Sequence, residues 1–125
     1  MRQGLPATAL TWVDTHCHLD APEFDPNRVA MRQRARAVGV QRCVIPAVQV
    51  RNFETVRALA HATGDGYCLG IHPLYVAHAD SDALQLLDDA LCQYRQDPHL
   101  LAVGEIGLDY FVPALCESPL RERQE

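Results

Sequence analysis

Short apolar runs alternate along the chain with amphipathic stretches. Ala9-Leu10-Thr11-Trp12-Val13, leading into Asp14, is the first run and predicts a strand. Asp25-Pro26 predicts a helix cap and a first-turn proline. Met31, Ala35 and Val38 then fall at i, i+4 and i+7, and Gly39 ends that helix. Cys43-Val44-Ile45 is a brief strand closed by Pro46. Asn52 caps a second helix with Phe53, Val56 and Ala60 on one face, and Gly64 and Gly66 punctuate its end. Tyr67 to Ile71 is a third strand. Ser81 caps a third helix, striped by Leu84, Leu87, Leu91 and Tyr94 until Asp97-Pro98 stops it. Leu100 to Leu108 reads as a fourth strand.

Strands alternating with helices at intervals of about 30 residues predict right-handed crossovers and a parallel α/β sheet. No linker, repeat or low-complexity tract breaks the pattern, so residues 1–125 read as one unit. A complete (β/α)8 barrel takes about 250 residues. The pattern alone leaves two architectures, a small open sheet and half of such a barrel.

With 48% hydrophobic and 22% charged residues, the composition is that of a globular domain or a piece of one. No apolar run approaches the roughly 18 residues of a membrane span, and the amino end lacks a basic stretch followed by an apolar block. A cytoplasmic protein with no membrane partner is expected. The five cysteines include no Cys-x-x-Cys pair, so they read as small hydrophobes in a reducing compartment. Net charge is −5, yet Arg28 to Arg57 carries seven arginines against Glu54 alone. That run reads as the solvated outside of helices. The acidic balance argues against broad, non-specific contact with phosphates without excluding a nucleic-acid substrate.

The candidate chemistry falls at strand ends. In Asp14-Thr15-His16-Cys17-His18-Leu19-Asp20, residues two apart on a strand project to the same side. His16 and His18 therefore form a metal pincer, or else two polar residues where a strand meets a loop. Asp14 and Asp20 share the alternation and could orient an imidazole from behind. Glu105 follows the apolar Leu100–Val103 run and is expensive to bury there without a cation, an arginine or backbone donors. His72, in Gly70-Ile71-His72-Pro73, is placed for substrate contact, proton transfer or capping. His61, His78 and His99 read as surface residues.

In this order, DTHCHLD, GIHP and VGEIGLDY resemble the motifs of the TatD family of metal-dependent deoxyribonucleases, within the amidohydrolase-like group. The similarity runs from about Trp12 to the end of the chain. It implies a (β/α)8 barrel, about half of it present here as strands 1 to 4 and the opening of helix 4. It also implies two divalent ions (magnesium, manganese or zinc) and hydrolysis of phosphodiester bonds in DNA. By matching position, His16 and His18 are implied as ligands of one metal and Glu105 as the carboxylate bridging both. His72 is implied near the substrate phosphate, and Asp109 matches the motif without a definite role. Family members have two further histidines and a last aspartate on later strands, and none follows here. The chain is therefore expected to be part of a longer protein or a truncated form. Its open sheet edges are expected to favour self-association. Two other functions stay in view: a small-molecule amide, ester or lactone hydrolase, and an α/β module without catalysis.

Overall fold

Gly66-Tyr67-Cys68-Leu69 has no alternating polar positions, the pattern of a strand covered on both faces, and all four residues are buried. The computed structural model describes residues 10–125; Ala9 of the first apolar run lies outside the described residues. The elements are β1 (Trp12–Asp14), α1 (Arg28–Ala37), β2 (Val40–Pro46), α2 (Phe53–Thr63), β3 (Gly66–Leu69), α3 (Ala83–Tyr94), β4 (Leu100–Val103) and α4 (Leu120–Gln124). The four strands pair in sequence order, and each neighbouring pair is parallel. The fold is therefore the parallel α/β arrangement read from the alternation.

Ile45 and Ala47 meet Phe53, Val56 and Ala60 of α2 and Tyr67 and Leu69 of β3 in the core. The α2 face is the one its spacing predicts. Gly64 ends that helix with φ 71°, a conformation that costs glycine least. On α3, Leu87, Leu91 and Tyr94 pack against the core. Leu84 does not. The helix begins at Ala83 after Asp82 rather than after Ser81, and Leu84 in its first turn is 75% exposed.

Helix α1 departs further from its pattern. Met31 and Val38 face outward, and the buried side chain is Arg32, 3% exposed. Its guanidinium is satisfied completely enough to be buried: it donates to both carboxylate oxygens of Asp65 at 2.7 Å and to the carbonyls of Val40 and Gln41. Arg28 is also committed, donating to the carbonyls of Leu19, Asp20 and Ala21 and pairing with Asp25 at 2.7 Å. The basic run is thus not simply a solvated face. These two, with Arg36 through the Thr63 carbonyl and Arg57 through Asp97, bind the chain to itself. Asp25-Pro26 does not cap the helix either. A short 3-10 turn, Pro22–Phe24, comes first, α1 starts at Arg28, and the Asp25 carboxylate goes to the Arg28 side chain.

At the amino-terminal ends of β3 and β4, His61 and the Tyr67 hydroxyl both meet Asp97 Oδ2, and the His99 main-chain N–H donates to Oδ1. Burial would raise the Asp97 carboxyl, but these partners outweigh it and hold it at about 2. His61 is exposed, as its surface reading has it, and still reaches Asp97; His99, also read as a surface residue, is half-buried.

The fourth strand is shorter than its apolar run. After Val103 the main chain bends away, and Ile106 and Leu108 are exposed. Trp12 and Val13 on β1 and Leu101 and Val103 on β4 are exposed too. Among the described residues, no helix is long and apolar enough to cross a membrane.

Candidate metal centre

In a flat sheet, β1 and β4 would lie about 14–15 Å apart, three spacings of about 4.8 Å. Yet Glu105, just beyond β4, touches the residues just beyond β1. Two features close that distance. The strands curl, and the Gly104-Glu105 segment passes over the end of β3. Gly104 N–H donates to Leu69 O at 2.8 Å, and Glu105 N–H reaches Ala47 O, just past β2, at 3.0 Å. The crossing needs a bare backbone beneath it. A Cβ on Gly70 would lie 2.6 Å from Gly104 C and 2.7 and 2.8 Å from Glu105 O and N. Backbone atoms at that range cannot yield as a side-chain tip can. Gly70→Ala is expected to displace Glu105 and weaken Mn2+ binding by about tenfold or more, measured by paramagnetic resonance of free Mn2+. Unchanged binding would show that the crossing does not set the site.

Cys17 N–H donates to Val44 O and His72 N–H to Val48 O, which fixes both histidine-bearing segments against the end of β2. His16 Nε2 lies 3.2 Å from Glu105 Oε2, His18 Nε2 lies 3.3 Å from the same oxygen, and the two ring nitrogens are 3.2 Å apart. His72 Nε2 approaches the other carboxylate oxygen, Oε1, at 3.0 Å. His72 also caps: its Nδ1 accepts the Leu74 N–H at 3.0 Å, starting the 3-10 segment Pro73–His78. The capping reading of this residue is seen on Nδ1, while Nε2 faces the Glu105 carboxylate.

The donor set fits a cation. Glu105 Oε2 is buried and has no hydrogen-bond partner, a costly state for a carboxylate oxygen unless a charge faces it. Ligand atoms about 2.0–2.1 Å from an ion stand about 3.3–3.4 Å apart at tetrahedral corners and about 2.8–3.0 Å apart as octahedral neighbours. The three observed separations, 3.2–3.3 Å, approach the tetrahedral value. His16, His18 and Glu105 thus bring two nitrogens and one oxygen close enough together to share an ion.

The aspartates named beside them take other places. Asp14 Oδ1 accepts the main-chain N–H of His16 at 3.1 Å, so it orients the strand end and not an imidazole. Asp20 hydrogen-bonds neither ring; its Oδ1 is buried without a partner, and burial pushes its carboxyl above the ordinary range. Asp109 Oδ1 accepts N–H groups from Val112 and Phe111, which hold its carboxyl below the usual range, and its backbone is clasped by the Gln124 side chain. It shapes the turn into α4. Cys17, between the two histidines, is pushed up to about 11 by burial and by nearby Cys43 and Asp14, so it is a neutral thiol near pH 7.

A cleft of about 720 Å³ opens beside Glu105, His18 and His72. Phe24, Gln49, Arg51 and Tyr75 also line it. The reading of strand ends passed over the end of β2, which offers no histidine or carboxylate. The rule that selected His16, His72 and Glu105 applies equally to Gln49 and Arg51. Arg51 brings to the cleft one cation of the basic run, which otherwise reads as the outside of helices.

The sequence profile described as TatD related DNase matches residues 13–125. An uncharacterized metal-dependent hydrolase of Escherichia coli K12, YjjV, is 39% identical over 115 residues, covering 91% of this chain and 42% of the relative. The human deoxyribonuclease TATDN3 is 35% identical over 112 residues, covering 83% of this chain and 40% of the relative. The crystal structure of the YjjV TatD homologue superimposes with a TM-score of 0.77 at 35% identity, covering 90% of this chain and 44% of that one. The chain spans less than half the length of the relatives it matches. Its strands and helices correspond to about half of a (β/α)8 barrel of the metal-dependent hydrolase type. Motifs, strand order and the match over nearly all described residues agree: this chain belongs to the TatD related DNase family.

Proposed function

We propose that His16, His18 and Glu105 hold a divalent cation, and that these strands serve a metal-dependent phosphodiesterase acting on DNA. The observation that carries the reading is the convergence of two imidazoles on one buried, unpartnered carboxylate oxygen at the carboxyl ends of the strands. A divalent ion at such a position lowers the pKa of a nearby water and neutralises charge on a phosphoryl oxygen. Glu105 would fix the ion's place, with Oε1 turned toward His72. His72, its Nδ1 committed to the Leu74 N–H, keeps Nε2 for Glu105 or for a substrate oxygen. The near-tetrahedral spacing favours zinc or a similar transition ion over magnesium. A second ion would share Glu105 and take further ligands from outside this set.

DNA as substrate is supported by the human relative's name and by the cleft of about 720 Å³ beside Glu105. Phosphodiester hydrolysis belongs to the whole protein, of which this chain is read as the first four strands. The exposed edges of β1 and β4 suit further strands of the barrel or a second copy of the chain.

The test uses the full-length protein and a single-stranded DNA oligonucleotide, with a panel of esters and lactones alongside. Cleavage is expected to stop with a chelator and to fall about 1,000-fold in His16→Ala/His18→Ala. Hydrolysis of the esters and lactones instead of DNA would overturn the substrate assignment. DNA cleavage that survives the double replacement would overturn the site.

A further inference from the structure

A second group of metal-type donors lies beside the histidine pincer and takes no part in the proposed hydrolysis. Asp14 and Cys43 are direct partners in the parallel pairing of β1 with β2. Cys17 follows Asp14 by three residues and is held against β2 by its N–H bond to Val44 O. The carboxylate and the two sulfurs come within 4.8 Å of one another. Cys43 is buried, Cys17 half-buried and Asp14 exposed, so the cluster is closed on the core side and open at the strand end.

Each donor is positioned by backbone rather than by chance contact. Cys43 N–H donates to Asp65 Oδ1 at 2.9 Å, which fixes its place in β2. Asp14 uses Oδ1 for the His16 N–H and leaves its other oxygen available. The nearest buried cation, Arg32, is already paired with both oxygens of Asp65. Two sulfurs, one carboxylate oxygen and an open fourth direction match what thiophilic ions of the zinc and cadmium class take. Magnesium and manganese prefer all-oxygen shells and would pass this cluster by.

We propose that Asp14, Cys17 and Cys43 form a separate binding site for a thiophilic divalent ion. Its occupancy would bear on the histidine pair, because Cys17 lies between His16 and His18 and Asp14 holds the His16 main chain.

Cd2+, added to the 125-residue chain under reducing conditions, is the probe. Sulfur ligation gives a thiolate-to-metal charge-transfer band in the near ultraviolet that histidine and carboxylate ligands cannot produce. One equivalent is expected to raise this band in the unaltered chain, in Cys92→Ser and in His16→Ala/His18→Ala. Its persistence in the double histidine variant separates this site from the hydrolytic reading. The band is expected to vanish in Cys17→Ser and in Cys43→Ser. In Asp14→Asn it should need about tenfold more Cd2+. Should Cys43→Ser fail to fold, as judged by circular dichroism, Cys17→Ser at the half-buried position decides alone. No band in the unaltered chain, or one that survives Cys17→Ser, overturns the proposal.

Discussion

Glu105→Ala is expected to weaken Mn2+ binding by the chain at least about 100-fold, roughly 2.7 kcal/mol, with little change in the thermal unfolding midpoint. The two halves of that expectation share one cause. Oε2 makes no hydrogen bond in the protein and Oε1 meets the His72 imidazole at 3.0 Å, so little is lost with the side chain, which is only partly buried at 23% exposure. Without the carboxylate, two imidazoles remain in the loop beyond β1, a weak pair for a hard ion such as Mn2+. Manganese is the right probe because the neighbouring thiols are poor ligands for it. Titration calorimetry gives the affinity, and a thermal scan of the metal-free protein gives the midpoint. Affinity within threefold of the unaltered chain would remove Glu105 from the site. A large fall in the midpoint would mean that the carboxylate is structural, satisfied by protonated histidines rather than by a metal.

The sequence is most legible where chemistry is tied to a local rule. The two-residue alternation picks out His16 and His18 as a pair, but β1 ends at Asp14 and both lie in the loop beyond it, so their convergence on Glu105 comes from that loop and not from the pleat. Helix α2 buries Phe53, Val56 and Ala60 because its apolar period and its contact with the sheet coincide. Legibility fails where a partner is remote. Nothing within α1 signals that Arg32 is the buried residue; that depends on Asp65, 33 positions away, and on two carbonyls of β2. A helix read by hydrophobic period alone is therefore turned the wrong way, with Met31 and Val38 inward. Cys17 and Cys43 look unrelated at a separation of 26 residues. Only the β1–β2 register brings them together, and short strands do not announce their register. Glu105 lies between these cases. That a buried Glu105 calls for a partner follows from the apolar run before it. Its passage over Gly70 to reach Ala47 is a property of the curled sheet and of one missing Cβ.

The buried pair behind α1 carries the largest stability effect. Asp65→Ala is expected to destabilise the protein by about 3–5 kcal/mol, the usual cost of removing one partner from a buried pair. Arg32 would keep its charge at 3% exposure without a counter-ion, and the Cys43 N–H would lose its acceptor. For a domain of this size the midpoint should fall by about 10–20 °C, a large part of a typical stability of about 5–15 kcal/mol. Arg32→Met should cost a similar amount at neutral pH, but with a different pH dependence. Burial alone would raise the Asp65 carboxyl. In the native pair Arg32, the Thr63 hydroxyl and the Cys43 N–H outweigh burial and hold it below its ordinary 3.8. A carboxyl depressed on folding stabilises fully above its unfolded value, and the contribution fades as pH falls from 3.8 through the lower folded value. In Arg32→Met, burial is unopposed by the guanidinium and the sign reverses. The carboxyl then prefers to be protonated, and stability drops as pH rises above about 4. The gap between the two proteins should be widest near pH 7 and narrow below pH 4, as measured by urea unfolding across that range. A gap independent of pH would show that Arg32 acts through packing of its stem, with Asp65 satisfied by its other donors.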